Sequence, residues 1–152
     1  MPVKTYKLGP GTLKLGEAGA TDLSFQVRSM RVRCNVTTTR TDPIPVLSGD
    51  SVPGTVTRTY EWTLEGAVLQ DIDAGGLTEW TWTNKGTVQP FDFVPNTAKG
   101  RACTGVTVVA PLDFGGELGG ARPEAPIAWP AGGAVSPDGD DVAGDPVLGA
   151  AA

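Results

Sequence analysis

The stretch TVTRTYEWTLEGAVL, Thr55 to Leu69, decides the fold class. Val56, Tyr60, Trp62, Leu64 and Val68 share one parity, and Thr57, Thr59, Glu61, Thr63 and Glu65 share the other. Successive side chains of a strand point to opposite faces. The alternation therefore predicts a long β-strand with one apolar core face and one wet face of threonines and acids.

Upstream, Leu23, Phe25 and Val27 alternate with polar residues, and the alternation resumes at Met30, Val32, Cys34 and Val36 on the opposite parity. A slip of one residue flips every side chain, so a β-bulge is expected near Arg28-Ser29, or a strand that passes between sheets. A short strand at Thr12–Leu15 precedes it, between a turn at Gly9-Pro10-Gly11 and another at 16–20. Between the two long strands, Thr37 to Gly54 is expected to be a long mobile loop, because Asp42-Pro43, Pro45, Ser48-Gly49-Asp50 and Pro53-Gly54 are turn residues. It carries Ile44, Val46 and Leu47, and apolar residues on a mobile loop point to docking on a partner or back on the same domain.

Downstream, Asp71 to Gly86 is the one helix candidate, with Asp73 as its cap, Leu77, Trp80, Thr81 and Asn84 at helical spacing, and Gly86 as its stop. Gly75 and Gly76 weaken its first turn, so a short helix is expected. Strand-like runs follow at Thr87–Val94, where Pro90 and Pro95 favour an edge position, and at Cys103–Pro111. Residues 115–143, rich in Pro and Gly, are expected to be irregular, and Gly144–Leu148 closes with a short strand. The 152 residues suit a single domain, and 21 Gly, 13 Pro and abundant Thr favour strands and turns over helices.

The net charge of −5 argues against a grip on nucleic-acid phosphates. Cations concentrate before Arg40 and acids after Ala110, which suits head-to-tail contact between copies or a plain solvated acidic tail. Cys34 and Cys103 sit in apolar runs, outside any metal spacing, and whether they pair is left open. No apolar signal or membrane segment is evident, so synthesis in a cytoplasm is expected.

The chain has no histidine, which removes the commonest general base and metal ligand. Glu61 and Glu65 lie about 13 Å apart along a strand, beyond the carboxylate spacing of glycosidases. Asp138-Gly139-Asp140-Asp141 lacks the glycine and closing glutamate of a calcium loop. No catalytic residue, metal or cofactor is expected. Trp62 and Trp80 fall in phase with apolar faces, whereas Trp82 is out of phase and is the one candidate for an exposed aromatic platform.

An ordered set of segments resembles the small major tail proteins, or tail tube proteins, of long-tailed phages, in the compact type carried by phages of actinobacteria. They are LGPGTLKLG (Leu8–Gly16), DLSFQV (Asp22–Val27), PVLSGDSVPG (Pro45–Gly54), YEWTLEGAVLQD (Tyr60–Asp71), GLTEWTWTNKGTVQPFDFVPNTA (Gly76–Ala98) and GDPVL (Gly144–Leu148). The resemblance covers nearly the whole chain and is poorest between Gly115 and Ala143.

It implies a mainly β tail-tube-type sandwich or barrel with one short flanking helix. It also implies hexameric rings, with sheets joined around a channel, that stack into a virion tail tube assembled in the host cytoplasm. DNA would pass through that tube without specific binding. A tape measure protein would lie inside it, and tail tip and terminator proteins at its ends. On this view Ile44, Val46 and Leu47 are inter-ring contacts, and Thr57, Thr59, Glu61, Thr63 and Glu65 are the candidate lumen face. The alternative is a monomeric β-sandwich binding module of carbohydrate-binding type.

Overall fold

The structure, a computed structural model, describes residues 4–16, 21–24, 26–119 and 122–151. Phe25, residues 17–20 of the expected second turn and Gly120 lie outside the described residues. The strands are β1 (Thr12–Leu15), β2 (Thr21–Asp22), β3 (Val27–Arg40), β4 (Ile44–Pro45), β5 (Ser51–Val52) and β6 (Val56–Leu69). They continue, after the helix α1 (Leu77–Thr83), with β7 (Val88–Val94), β8 (Arg101–Val108), β9 (Glu124–Gly132), β10 (Ala134–Val135), β11 (Val142–Ala143) and β12 (Val147–Ala150).

The main sheet is antiparallel, in the order β2-β1-β7-β8-β9-β6-β3, and β12 pairs with the first half of β8. Strands from both ends of this order feed one core. Leu13 and Leu15 of β1, Met30 of β3, Leu64 and Val68 of β6, and Ile127 and Trp129 of β9 are each 5% exposed or less. The sheet therefore curls around its own apolar face, and each such side chain contributes about 1.5–3 kcal/mol by leaving water.

The parity switch upstream is a bulge. Val27 faces Val68 and Ser29 faces Ala67, so Arg28 is the extra residue. From Ser29 to Arg40 the pairing with β6 then runs without a break, placing Val32, Cys34 and Val36 opposite Leu64, Trp62 and Tyr60. The helix is shorter than Asp71–Gly86. Gly76 stands at its N-cap without a side-chain cap, so Asp73 does not cap it; its carbonyl instead accepts from the Gly76 N–H. Leu77 and Thr81 are buried and Trp80 is partly buried, as the spacing requires. Pro90 lies in a central strand, not on an edge. Its carbonyl accepts from Gly16 N on the β1 side, just past the end of β1, so its missing N–H disrupts no ladder bond.

Two further expectations need correction. Residues 115–143 are not irregular throughout, because β9 lies inside them and buries Ala125, Ile127, Trp129 and Ala131 on alternate positions. Its prolines, Pro126 and Pro130, share the other parity. The Pro130 carbonyl accepts from the Thr107 hydroxyl, so the side without an N–H faces β8, which pairs with β9 only at Gly132 and Ala131. Prolines placed there leave the ladder to β6 intact.

Residues 37–54 are likewise not a structureless loop. Thr37–Arg40 complete β3 and pair with Val56–Thr59, and Ile44–Pro45 pair with Ser51–Val52 beyond them. Turn residues had masked a hairpin whose flanks are β-branched threonines.

Candidate functional site

The feature the fold builds most distinctively is this hairpin arm. β3 and β6 are 14 residues each, but only their inner halves lie over the core. Every residue from Asn35 to Glu61 is exposed. The outer halves therefore form a two-stranded ribbon, about 20 Å long before its tip at the usual strand rise.

Its base is fixed by Trp62, whose indole N–H donates to Asp145 Oδ1 at 2.7 Å. At its distal end Thr41 N donates to Thr55 O at 2.9 Å and Thr55 N to Thr41 Oγ1 at 2.7 Å. Gly54 is required at this pinch, since a Cβ there would lie 1.9 Å from the Thr41 carbonyl oxygen. The tip closes through Val46 N to Asp50 O at 3.0 Å, with Gly49 at a φ of 93°.

The core-side face of β3 and β6 turns mixed as it leaves the body, where Val36, Tyr60 and Val56 alternate with Thr38, Arg58 and Arg40. Val36, Val56 and Tyr60 are 51–55% exposed, although they continue the rows that end in buried Leu64 and Val68. At the tip Ile44, Val46 and Leu47 are all exposed, Leu47 completely. These exposed apolar side chains have no partner within the chain's own core. Among the described residues β3 also pairs on one side only, with β6, which leaves its other edge open.

The opposite face gathers the five residues expected to line a channel, but in two zones. Thr57 and Thr59 belong to the arm, opposite Thr39 and Thr37, with Glu61 at its root opposite Asn35. Thr63 and Glu65 lie on the body, flanked by Arg33 and Arg31 on β3 and by Pro130 and Ala128 on β9. Arg31 Nε donates to Glu65 Oε1 at 2.5 Å, and Arg33 Nη1 lies 3.8 Å from the same oxygen. The face is therefore charge-balanced, not acidic. The two arginines were legible as residues, but their register against Glu65 was not.

A second apolar feature was legible in the sequence only through Trp82, which is exposed as its phase suggested. Ile72, Thr78, Glu79, Trp82, Thr83 and Phe114 line a cleft of about 530 Å³ on the outer side of α1. The Trp82 indole donates to Leu112 O at 2.7 Å, which locks the ring, and Phe114 meets it edge to face with centroids 6.3 Å apart. At an interplanar angle of 65° the two rings share no flat platform of the kind sugars stack on. The Thr78 hydroxyl, on a residue 4% exposed, is buried in this wall without a hydrogen-bond partner.

Elsewhere, Cys34 and Cys103 are free thiols, and burial, with Asp92 nearby, pushes the Cys103 thiol up. The Asp22 carboxyl is held below the usual carboxylate range by the Ser24 hydroxyl and N–H, with a smaller contribution from Lys14. Asp138, Asp140 and Asp141 lie exposed in the turn that joins β10 to β11. Among the described residues no helix is long and apolar enough to cross a membrane.

No protein-family model and no curated protein matches this chain. Solved structures do. One is a chain of the virion of a native gene transfer agent particle, with a TM-score of 0.57 at 15% identity, covering 92% of this chain and 95% of that one. Another is a chain of the tail of an empty gene transfer agent particle, obtained by helical refinement with C6 symmetry. Its TM-score is 0.57 at 15% identity, covering 93% of this chain and 96% of that one. At such identity the likeness is one of fold, and it spans both chains almost end to end. The mainly β architecture with one flanking helix is thus shared with a chain of a phage-like tail.

Proposed function

We propose that this chain is the structural subunit of a tail tube and works by assembly, without catalysis. Copies close into hexameric rings, the rings stack, and DNA crosses the bore from capsid to cell. A tape measure protein fills the bore before ejection, and tip and terminator proteins finish the ends. The observation that carries this reading is the arm: a ribbon in unbroken register with the core, exposed throughout, with Val36, Val56 and Tyr60 on one face and Ile44, Val46 and Leu47 at its tip. Isolated two-stranded ribbons are marginal in water, and a long open strand edge is a template for pairing with another chain. Both features make sense when neighbouring copies cover them. The end-to-end likeness of fold to a chain in a C6-symmetric tail supports the same reading.

Under this proposal the polar face of β3 and β6 looks into the bore. Its threonines keep the wall wetted. Its two arginines, Arg31 and Arg33, are matched in number by Glu61 and Glu65, so the face offers no net cationic anchor to a sliding polyanion.

Negative-stain images and sedimentation of the purified chain over a range of concentrations test the proposal. Tubes or stacked rings replacing monomer as concentration rises are the expected result. A strict monomer at every concentration, with the tail-end partners also supplied, would overturn it. Removing residues 43–53 while keeping the body folded is expected to abolish the polymer.

A further inference from the structure

We infer that the cleft on the outer side of α1 is the seat for the arm tip of a neighbouring copy, with Leu47 as the plug. The inference rests on the assembly reading and adds to it the surface that receives the arm.

A cyclic ring or an open stack needs a heterologous interface, in which one patch of a copy meets a different patch of the next. The chain presents two apolar patches of opposite shape. One projects: Ile44, Val46, Leu47 and Val52 stand on a two-stranded tip, between 42% and fully exposed. The other is concave: Ile72, Trp82 and Phe114, 51–66% exposed, frame the cleft. The cleft is pre-shaped, because the Trp82 ring is pinned to Leu112 O and buttressed by Phe114.

An aliphatic side chain seated between two aromatic edges leaves water almost entirely, and that burial is what would hold the tip in its seat.

A disulfide trap tests the pairing. Leu47→Cys and Thr83→Cys are combined in a chain whose own thiols are removed by Cys34→Ser and Cys103→Ala, and the protein is assembled and then oxidised. Cross-links between position 47 of one copy and position 83 of another, seen as a ladder on non-reducing gels and absent with either cysteine alone, are expected. Polymers that form without this link, or that link 47 to 47, overturn the seat while leaving the assembly reading intact. A native chain that never assembles removes both.

Should the thiol-free background fail to fold, the native chain gives a second readout. Trp82 is half exposed in the free subunit and is expected to shift its fluorescence to the blue on assembly. Leu47→Asp and Phe114→Asp should each raise the concentration needed for assembly about tenfold or more, the worth of one buried apolar side chain. Normal assembly of both variants overturns the inference.

Discussion

Arg31 Nε donates to Glu65 Oε1 at 2.5 Å across β3 and β6, and Arg33 reaches the same carboxylate, so one acid answers two guanidiniums. The arginine side chains are 70% and 55% exposed and Glu65 is 22% exposed. Exposed pairs of this kind add little stability, about 0–1 kcal/mol. Their larger effect is on what the face presents to an approaching polyanion.

Glu65→Lys sets three cations side by side, whereas Glu61→Lys adds one to a spot facing Asn35. In virions built with each variant, DNA ejection is expected to slow markedly with the substitution at Glu65 and only mildly with that at Glu61, and added salt should relieve the slowing. Equal ejection rates for both variants and the native protein would show that this face does not line the bore.

The arm and the core should fail separately. Gly54→Ala drives a Cβ against the Thr41 carbonyl at the pinch of the arm, and Gly66→Ala drives one to 2.0 Å from the Ser29 carbonyl within the body. The first is expected to block polymerisation with little change in Tm. The second is expected to lower stability by about 1–3 kcal/mol, the cost of overpacking. Thermal melts and sedimentation on the same samples separate the two effects. A large drop in Tm for Gly54→Ala would mean that the arm is part of the folding unit.

The strand that proline hides is also the one that fills the centre. Trp129 of β9 is 2% exposed and joins the core cluster. Trp129→Ala is expected to cost about 3–5 kcal/mol in chemical denaturation. A loss below about 1 kcal/mol would contradict the position of β9 between β6 and β8.

Asp22 gives a pH signature. Its carboxyl is depressed below the ordinary value of 3.8, chiefly by the Ser24 hydroxyl and N–H. A depressed group stabilises the fold above its unfolded-state value, and that contribution is lost as pH falls through the folded-state value. Asp22→Asn is therefore expected to lower Tm slightly at neutral pH and to match the native protein well below pH 3.8. A difference that persists in acid would assign the effect to packing instead.

What the sequence revealed follows from the range of each signal. Parity along β3 and β6 is local, so their inner halves and the parity switch near Arg28-Ser29 could be foretold, whereas Val56 and Tyr60, expected on the core face, lie exposed on the arm. Pairing depends on residues distant along the chain. The ribbon beyond Val36 was hidden because its closing turns look like a loop. β9 was hidden because its prolines outweighed the alternation of Ala125, Ile127, Trp129 and Ala131. The Arg31–Glu65 contact spans 34 positions and requires the register, which composition and spacing do not carry. The α1 cleft combines Ile72, Trp82 and Phe114 from three segments, and only the folded chain brings them together.

The unbroken register from Ser29 to Arg40 has a metric consequence. In the assembly proposed here, the ribbon is a ruler that holds its tip at a fixed reach from its own body. Pleating graduates that ruler. Each added residue pair extends it by about 3.3 Å but turns the tip face over, so only additions of two pairs, about 7 Å, keep Val36, Val56 and Tyr60 in line with the tip. The spacing between joined copies can therefore change in even steps alone, and an odd insertion would present Thr57, Thr59 and Glu61 where Val56 and Tyr60 belong.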